Sequence, residues 1–355
     1  MSSPDVAGRP EPGPGRPGHA HSHDHGDDHG NSHRNDNSND IGGSDADAAG
    51  RLERAVELLI ATLRWAVRQT SADLTEREVE QRVAAFLAYL RRRVTGEIEV
   101  DEFGFDSDFT RHVYLPVLRV LYTHWFRVQV SGIENVPADG PALVVANHSG
   151  TIPLDCLMTQ VAIHDTHPQG RFLRLLGADL VFRTPVVGEK FRAGGTTLAS
   201  PQDALRLLRQ GELVGVWPEG YKGIGKPYSE RYRLQRFGRG GFVATALRTG
   251  APIVPCSIVG AEETYPKIGD ISPLAQLLDV PYFPVTPTFP HLGLLGLVPL
   301  PSKWIIDFSP PLDTAGLGPE AADDPLLVFD LTDRIRETIQ SRLHVLLAQR
   351  GPVFG

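Results

Sequence analysis

Apolar side chains recur every three or four residues in three segments of the chain, which is the spacing of an amphipathic helix. The first segment covers residues 51–68. The second begins with a capping box formed by Thr75 and Glu78 and ends at Gly96. The third runs from about 332 to 349. The first two segments predict a helical hairpin at residues 51–108, ahead of the main domain.

Between the hairpin and the C-terminal helix, short apolar runs alternate with helical patterns. This alternation is typical of an α/β domain with a mixed central sheet flanked by helices, here across residues 109–350. We predict strands at 142–146, 214–217, 253–259 and 304–308, and helices at 154–163, 202–209 and 239–248.

Residues 1–50 show neither the helical nor the strand spacing of apolar side chains, because they consist almost entirely of Pro, Gly, Ser, Asp, Asn and His. The few large apolar side chains in this segment cannot offset the entropy that the chain would lose on ordering. We therefore predict a disordered tail. A metal-binding module in this tail is one alternative function, since imidazoles are ready ligands. We favour a flexible polar tail and predict no metal site, since nothing fixes a coordination geometry around His19, His21, His23, His25, His29 and His33.

Two stretches have the composition of membrane-adapted segments. Residues 113–130 are mostly apolar or aromatic, interrupted by Arg119, His124 and Arg127, a pattern that suits a helix lying in a membrane interface. Residues 281–301 contain no Asp, Glu, Lys or Arg, but their prolines would break any spanning helix. We interpret this second stretch as an apolar loop that covers a pocket or dips into lipid, with a buried core connection as the equal alternative.

Charge and cysteine content narrow the class of protein. The net charge of −8 argues against a nucleic-acid partner. The two cysteines, Cys156 and Cys256, belong to no CxxC pair, which indicates a reducing compartment. The N-terminus carries no signal-peptide pattern. We therefore expect a cytoplasmic protein that is peripheral on the inner face of the cell membrane.

The glycines between Gly220 and Lys226 have the spacing of a nucleotide-binding P-loop. Pro227 stands where the Mg²⁺-binding hydroxyl should follow, and residues 228–233 show no helical period, so we do not favour a nucleotide site. A basic run surrounds this loop. Its members are Lys222, Lys226, Arg231, Arg233, Arg236 and Arg239. The run suits the phosphate of a lipid acceptor, the phosphates of coenzyme A or an anionic lipid. For any single member, a solvated basic face is the simpler alternative.

A His and an Asp lie at the junction between the strand 142–146 and the following helix. His148 has the chemistry of a general base, and Asp155 is placed to orient its far nitrogen and to stabilise the imidazolium. Strand ends of α/β sheets are where such folds build sites. Taken alone, this pair is weak, since a buried His satisfied by a carboxylate is commoner than a catalytic one.

Together with Trp217-Pro-Glu-Gly220, this junction resembles the glycerophospholipid acyltransferase superfamily, of the lysophosphatidic acid acyltransferase type. The first family signature, Asn-His followed by a nearby Asp, is matched by Asn147, His148 and Asp155. The third, Phe-Pro-Glu-Gly-Thr-Arg, is matched by residues 217–222. The fourth, an apolar strand ending in proline, is matched by residues 251–255. The resemblance covers roughly residues 125–312.

Two departures from the family pattern stand out. Pro153 occupies the position of the family's Asp, so that six residues separate His148 from Asp155 instead of four. Proline is favoured in a first helical turn, so Asp155 is still predicted in the opening turn, facing the strand end. The second family signature, an aromatic or apolar pair followed by Arg before a helix, is blurred, because the expected Arg position falls near Leu198. This weakens a prediction of a phosphate on the acceptor.

The resemblance implies an O-acyltransferase of the 1-acylglycerol-3-phosphate acyltransferase type, active in phospholipid biosynthesis at a membrane surface. It implies transfer of a fatty acyl group from acyl-CoA or acyl carrier protein to the hydroxyl of a (lyso)glycerolipid acceptor. No cofactor beyond this thioester co-substrate is expected. His148 and Asp155 would be catalytic, and the substrate-binding residues would be Asn147, Glu219, Gly220 and Lys222. The alternative is a non-catalytic lipid-binding protein on the same fold.

Overall fold

A computed structural model of the chain describes residues 75–183 and 187–354 and, in part, residues 57–65. The predicted tail at 1–50 and most of the first predicted helix lie outside the described residues. The second predicted helix is present as α1 (Glu76–Thr95) with its capping box: the N–H of Glu78 donates to Thr75 Oγ1, and the N–H of Thr75 donates to Glu78 Oε2. It ends at Gly96, as predicted.

A mixed sheet of seven strands organises the described chain. Its strand order is β1-β9-β6-β2-β5-β3-β4, and all neighbours are parallel except β6 and β9. A separate antiparallel pair joins β7 to β8. The strands are β1 (Gln129–Ser131), β2 (Ala142–Ala146), β3 (Leu173–Gly177), β4 (Thr196–Leu198), β5 (Leu213–Val216), β6 (Ile253–Val259), β7 (Gly269–Asp270), β8 (Pro284–Val285) and β9 (Ile305–Phe308).

Helices cover both faces of the sheet. The segment α2 (107–125) combines the α-helical turns Ser107–Phe109 and Leu115–Arg119 with the π-helical turns Thr110–Tyr114 and Val120–Trp125. The remaining helices are α3 (Leu154–Thr166), α4 (Asp179–Arg183), α5 (Val187–Ala193), α6 (Pro201–Arg209), α7 (Tyr221–Ile224), α8 (Gly241–Thr249), α9 (Ser272–Leu277) and α10 (Pro325–Gln349). Short 3₁₀ turns occur at Ile133–Asn135, Tyr228–Glu230, Ala261–Glu263, Gly293–Leu297, Ala315–Leu317 and Pro319–Asp323.

Strand β2 shows why the central strands read as unbroken apolar runs. Val144 and Ala146 belong to the hydrophobic cluster that packs against α2 and α3. Leu143 and Val145 belong to the opposite cluster, which packs against α6, α8 and α10. Side chains alternate between the faces of a strand, so a strand covered on both faces is apolar at every position.

The structure confirms the predicted fold class and refines several boundaries. The C-terminal helix begins at Pro325, earlier than predicted, because Asp324 caps it by accepting hydrogen bonds from the N–H groups of Leu326 and Leu327. The interfacial helix predicted at 113–130 ends at Trp125, because β1 then pairs with β9. The strands β1, β3, β4, β7 and β8 are not among the predicted ones. Four of them are only two or three residues long, and Arg174 interrupts the apolar run of β3.

The proline-rich stretch 281–301 is not a buried core connection. Leu294 and Leu295 are more than two-thirds exposed. Near its start, Pro281 and Tyr282 line a cavity. The interpretation as an apolar loop is therefore the one that the structure favours.

Candidate active site

His148 and Asp155 form a hydrogen-bonded pair at the edge of the sheet where β2, β5 and β6 end. His148 Nδ1 lies 2.7 Å from Asp155 Oδ2. The Asp155 carboxylate is fully buried, and it also accepts hydrogen bonds from the N–H groups of Ser149 (2.9 Å) and Cys156 (3.0 Å). These donors hold the carboxylate where it can orient the imidazole and stabilise an imidazolium.

Tight turns absorb the long interval between the two residues. Gly150 and Thr151 both adopt left-handed backbone conformations, with φ of 95° and 61°. The N–H of Ile152 donates to Gly150 O, and the N–H of Leu154 donates to Ile152 O. Pro153 stands at the N-cap of α3, which places Asp155 in the first turn, as predicted.

The second ring nitrogen of His148 remains available. Nε2 makes no hydrogen bond to any residue that the structure describes, and about 12% of the His148 side chain is exposed. The Trp217 ring packs nearby, with ring centroids 6.1 Å apart. An imidazole with one nitrogen held by a carboxylate and the other free can accept a proton from a substrate hydroxyl.

A cavity of about 310 Å³, here called the dyad cavity, is lined by the loop after β5 and by Tyr282, and its lining includes neither His148 nor Asp155. The Tyr282 hydroxyl donates to Thr151 O, three residues beyond His148. Gly223 packs directly on His148, since a Cβ at Gly223 would lie 2.9 Å from the His148 Cβ. The lining includes Tyr221, Lys222, Gly225, Lys226, Gln235 and Tyr282.

Asn147 and Glu219 are both bonded to the backbone. The Asn147 side chain donates to Ile258 O (3.0 Å) and accepts from the Ile258 N–H (2.7 Å), which joins the ends of β2 and β6. Glu219 accepts from the N–H groups of His148 (2.8 Å) and Gln235 (2.6 Å). Both are buried, so each positions the backbone around His148. A direct contact of either with substrate stays a prediction.

Gly220 and Lys222 occupy the turn after β5. Gly220 has φ 54° and ψ −143°, a conformation that residues with a Cβ rarely adopt, and it stands at the N-cap of the single turn α7. Lys222 is exposed and lines the dyad cavity. Contact of Lys222 with a ligand stays a prediction.

The predicted basic run divides into separate environments. Lys226 is buried, with Nζ 2.8 Å from Glu262 Oε1 and 3.6 Å from Glu219 Oε2. Burial alone would lower the pKa of Lys226, but the two carboxylates raise it above its ordinary value. A lysine paired in this way is not placed to bind phosphate as a P-loop lysine does, so the structure does not favour a P-loop here.

The arginines of this run lie elsewhere. Arg231 and Arg233 line a second cavity of about 510 Å³, together with Tyr232, Glu263 and Arg350. Arg236 and Arg239 are exposed. The run is therefore not a single phosphate-binding loop.

Some residues of the site were not singled out from the sequence. Glu262 and Lys267 come from the segment after β6, far along the chain from His148. Tyr282 was not predicted individually, although it lies in residues 281–301, which were expected to cover a pocket. Gly223 was missed too, although a small residue beside the Trp-Pro-Glu-Gly motif was a visible signal.

Comparisons with known proteins show what the chain as a whole is similar to. The family model described as Acyltransferase matches residues 127–259. An uncharacterized protein of Mycobacterium tuberculosis is 57% identical over 80% of this chain and 80% of its own length. A human protein named DGAT1/2-independent enzyme synthesizing storage lipids is 26% identical over 46% of this chain and 50% of its own length. The 1-acyl-sn-glycerol-3-phosphate acyltransferase of Bacillus subtilis is 27% identical over 40% of this chain and 68% of its own length.

Proposed function

This chain belongs to the glycerophospholipid acyltransferase superfamily, and on that premise we propose that it transfers a fatty acyl group from acyl-CoA or acyl carrier protein to the hydroxyl of a (lyso)glycerolipid acceptor. The observation that carries the proposal is the His148–Asp155 pair. Its imidazole is held by a carboxylate and keeps Nε2 free of any hydrogen bond to the described residues. The long interval between the two residues does not prevent them from meeting.

In the proposed reaction, His148 Nε2 takes the proton of the acceptor hydroxyl. The acceptor oxygen attacks the thioester carbonyl carbon, the new C–O bond forms, and the C–S bond breaks to release the thiolate. The imidazolium returns its proton to the leaving sulfur. Asp155 stabilises the positive charge on the ring during this step. No covalent bond to the protein is needed.

The acceptor class is the finer part of the proposal. The Bacillus subtilis relative is named for an acceptor that carries a phosphate, and the human relative is named for storage-lipid synthesis. Both a phosphorylated and an uncharged glycerolipid are therefore candidate acceptors for this chain.

We also propose that the protein binds the membrane surface peripherally, on its inner face. An apolar surface, defined by Val117, Val120, Leu292, Leu294, Leu295 and Val298, is exposed on α2 and on the stretch 281–301. The Trp125 Nε1–H donates to Pro299 O (2.9 Å) and joins these two segments. Exposed apolar residues on two segments joined in this way suit a lipid-facing surface.

None of the described helices combines the length and the apolar character that crossing a bilayer requires. Contact through the apolar surface would bring a lipid acceptor to the protein without such a helix.

The purified protein incubated with labelled acyl-CoA or acyl carrier protein and a panel of lysolipids, glycerol 3-phosphate and diacylglycerol tests the proposal. We expect acyl transfer to at least one lipid hydroxyl and its loss in His148→Ala. Lipid binding without any acyl transfer would contradict the proposal and favour a non-catalytic lipid-binding protein on the same fold.

A further inference from the structure

The turn at residues 150–152, here called the dyad turn, takes up the extra length between His148 and Asp155 in this chain. Within it, Thr151 has φ 61°, a left-handed conformation that is unfavourable for a β-branched residue. Such a conformation persists only where the surrounding structure holds it. The dyad turn therefore needs support from outside its own segment.

Two hydrogen bonds supply this support from the part of the chain that follows β6. The Tyr282 hydroxyl donates to Thr151 O, and Thr151 Oγ1 donates to Tyr265 O at 3.1 Å. The turn is also closely packed, since a Cβ at Gly150 would lie 2.9 Å from Ala261 O. Because Thr151 is buried, bulk water would not simply replace a lost partner.

The Tyr282 side chain is itself held in place. A Cβ at Gly225 would lie 3.0 Å from Tyr282 Cδ1, so the ring packs directly on the backbone of that glycine. Lys267 Nζ lies 4.6 Å from the centre of the ring and donates to Gly225 O at 2.8 Å. Burial raises the pKa of Tyr282 above its ordinary value of 10.0, so the hydroxyl keeps its proton and remains a donor.

The dyad turn connects directly to the catalytic pair. It leads into the first turn of α3, which carries Asp155. On its other side, the N–H of Ser149 donates to Asp155 Oδ2, the same oxygen that His148 Nδ1 contacts. A displacement of the turn would therefore change how the carboxylate meets the imidazole.

We propose that Tyr282 is a positioning residue for the acyl transfer: by holding Thr151 O it fixes the dyad turn and so keeps Asp155 against His148. This inference rests on the proposed function. Tyr282 belongs to the stretch 281–301, so this stretch supports the catalytic pair as well as carrying the exposed leucines of the apolar surface.

The first test is Tyr282→Phe, which removes one hydroxyl and keeps the ring, assayed with the most active donor and acceptor of the panel above. We expect kcat to fall at least about fivefold while KM changes less than about twofold. Tyr265→Phe is the matched control, because its hydroxyl donates to Leu297 O of the same stretch, whereas the bond from Thr151 to Tyr265 O remains. It should keep the kcat of wild type.

Three outcomes of this test would overturn the inference. The first is a Tyr282→Phe protein that melts like wild type and keeps its kcat. The second is a rise in KM alone, which would place Tyr282 in contact with substrate instead. The third is an equal loss of kcat in both variants, which would trace the effect to the stretch 281–301 as a whole.

The second test asks whether Tyr282 acts through Asp155. In an Asp155→Asn background, Tyr282→Phe should lower kcat less than about twofold, because the group that it positions is already lost. Single-turnover measurements at high enzyme concentration resolve these low rates. Losses that multiply would overturn the inference, since Tyr282 would then act independently of the pair.

Hydrogen exchange measured by mass spectrometry tests the dyad turn without any activity. In a peptide that covers residues 148–156, exchange should be faster in Tyr282→Phe than in wild type, and unchanged in Tyr265→Phe. Unchanged exchange in Tyr282→Phe would overturn the inference and leave the proposed acyl transfer intact. Absence of acyl transfer in wild type would overturn the proposed function, and with it the catalytic role of Tyr282, whatever the exchange shows.

Discussion

His148 is the residue on which the proposed chemistry depends. We expect His148→Ala to lower kcat by at least about a hundredfold, the usual cost of removing a general base. The variant should still fold, because the Asp155 carboxylate keeps two backbone donors. Steady-state kinetics together with a melting curve check this prediction. A variant that folds and keeps its activity would exclude His148 as the base.

Asp155 should matter for the same step. Asp155→Asn keeps the shape of the side chain but removes the charge that stabilises the imidazolium, so we expect a severe loss of kcat with a smaller change in acceptor binding. Asp165→Asn, near the end of the same helix, is the control. It breaks the partly exposed pair with Arg119, worth about 0–1 kcal/mol, and should leave kcat unchanged. If Asp155→Asn kept near-normal activity while His148→Ala was inactive, another acidic residue would have to orient His148.

Gly223 sets the position of His148 by its lack of a side chain. A Cβ there would lie 2.7 Å from His148 O and 2.9 Å from His148 Cβ, so Gly223→Ala must displace the catalytic loop. We expect kcat to fall at least about tenfold, because small displacements of a base are costly. Gly241→Ala meets no atom within 4 Å and should behave as wild type. Equal kinetics for the two variants would contradict this role.

At the scale of elements, a buried ion cluster ties the segment after β6 to the loop after β5. Burial raises the pKa of Glu262 to about 7, although Lys226 acts against this shift. The folded state therefore binds this proton more tightly than the unfolded state, where the pKa is 4.5. The stabilising contribution of Glu262 is complete below pH 4.5 and is lost as pH rises toward 7. Lys226 keeps its charge throughout this range, since its pKa is raised above an ordinary value of 10.5.

Urea unfolding of wild type and Glu262→Gln at several pH values checks this behaviour. Relative to the variant, wild type should lose free energy of unfolding on the order of 2–3 kcal/mol between pH 4.5 and pH 7.5. Glu230→Gln, at an exposed position, should parallel wild type. Parallel curves for Glu262→Gln and wild type would show that Glu262 does not titrate in this range.

The apolar surface joins two elements, and its leucines should control membrane binding. Leu294 and Leu295 are 83% and 73% exposed. Transfer of a leucine from water to hydrocarbon is worth about 1.5–3 kcal/mol, so changing both to Asp should weaken vesicle binding by at least about tenfold. Leu326→Asp is the control, because Leu326 is 81% exposed at the start of α10. Vesicle sedimentation measures the effect, and equal loss in all variants would exclude a specific surface.

At the scale of the whole molecule, the His-rich tail should be dispensable for acyl transfer. A chain that begins at Ala48 keeps every residue of the dyad and of its cavity. We expect this shortened protein to transfer acyl groups at the rate of the full-length chain. Loss of turnover in a shortened protein that melts normally would instead assign a metal or cofactor role to the histidines.

Local patterns were sufficient for much of the fold. Strands β2 and β6 and the capped helix α1 were predicted with their correct limits, because buried strands read as continuous apolar runs and a capping box marks a helix start. The pairing of His148 with Asp155 was also predicted, since both lie at one strand-to-helix junction. Short, partly polar strands such as β4 contain too few apolar positions for their hydrophobic pattern to predict a strand.

The sequence by itself therefore determined the mixed α/β class, the candidate base and the residue that orients it. Only the tertiary structure decided which of the basic residues keep a free charge and what lies against them. Lys267 and Asp270 reach the dyad cavity, and Glu262 reaches Lys226, because parallel strands end at one edge of the sheet and so bring together loops that are distant in the chain. Sequence spacing reports local backbone geometry, whereas the electrostatic balance of a site depends on through-space distances that only the folded chain defines.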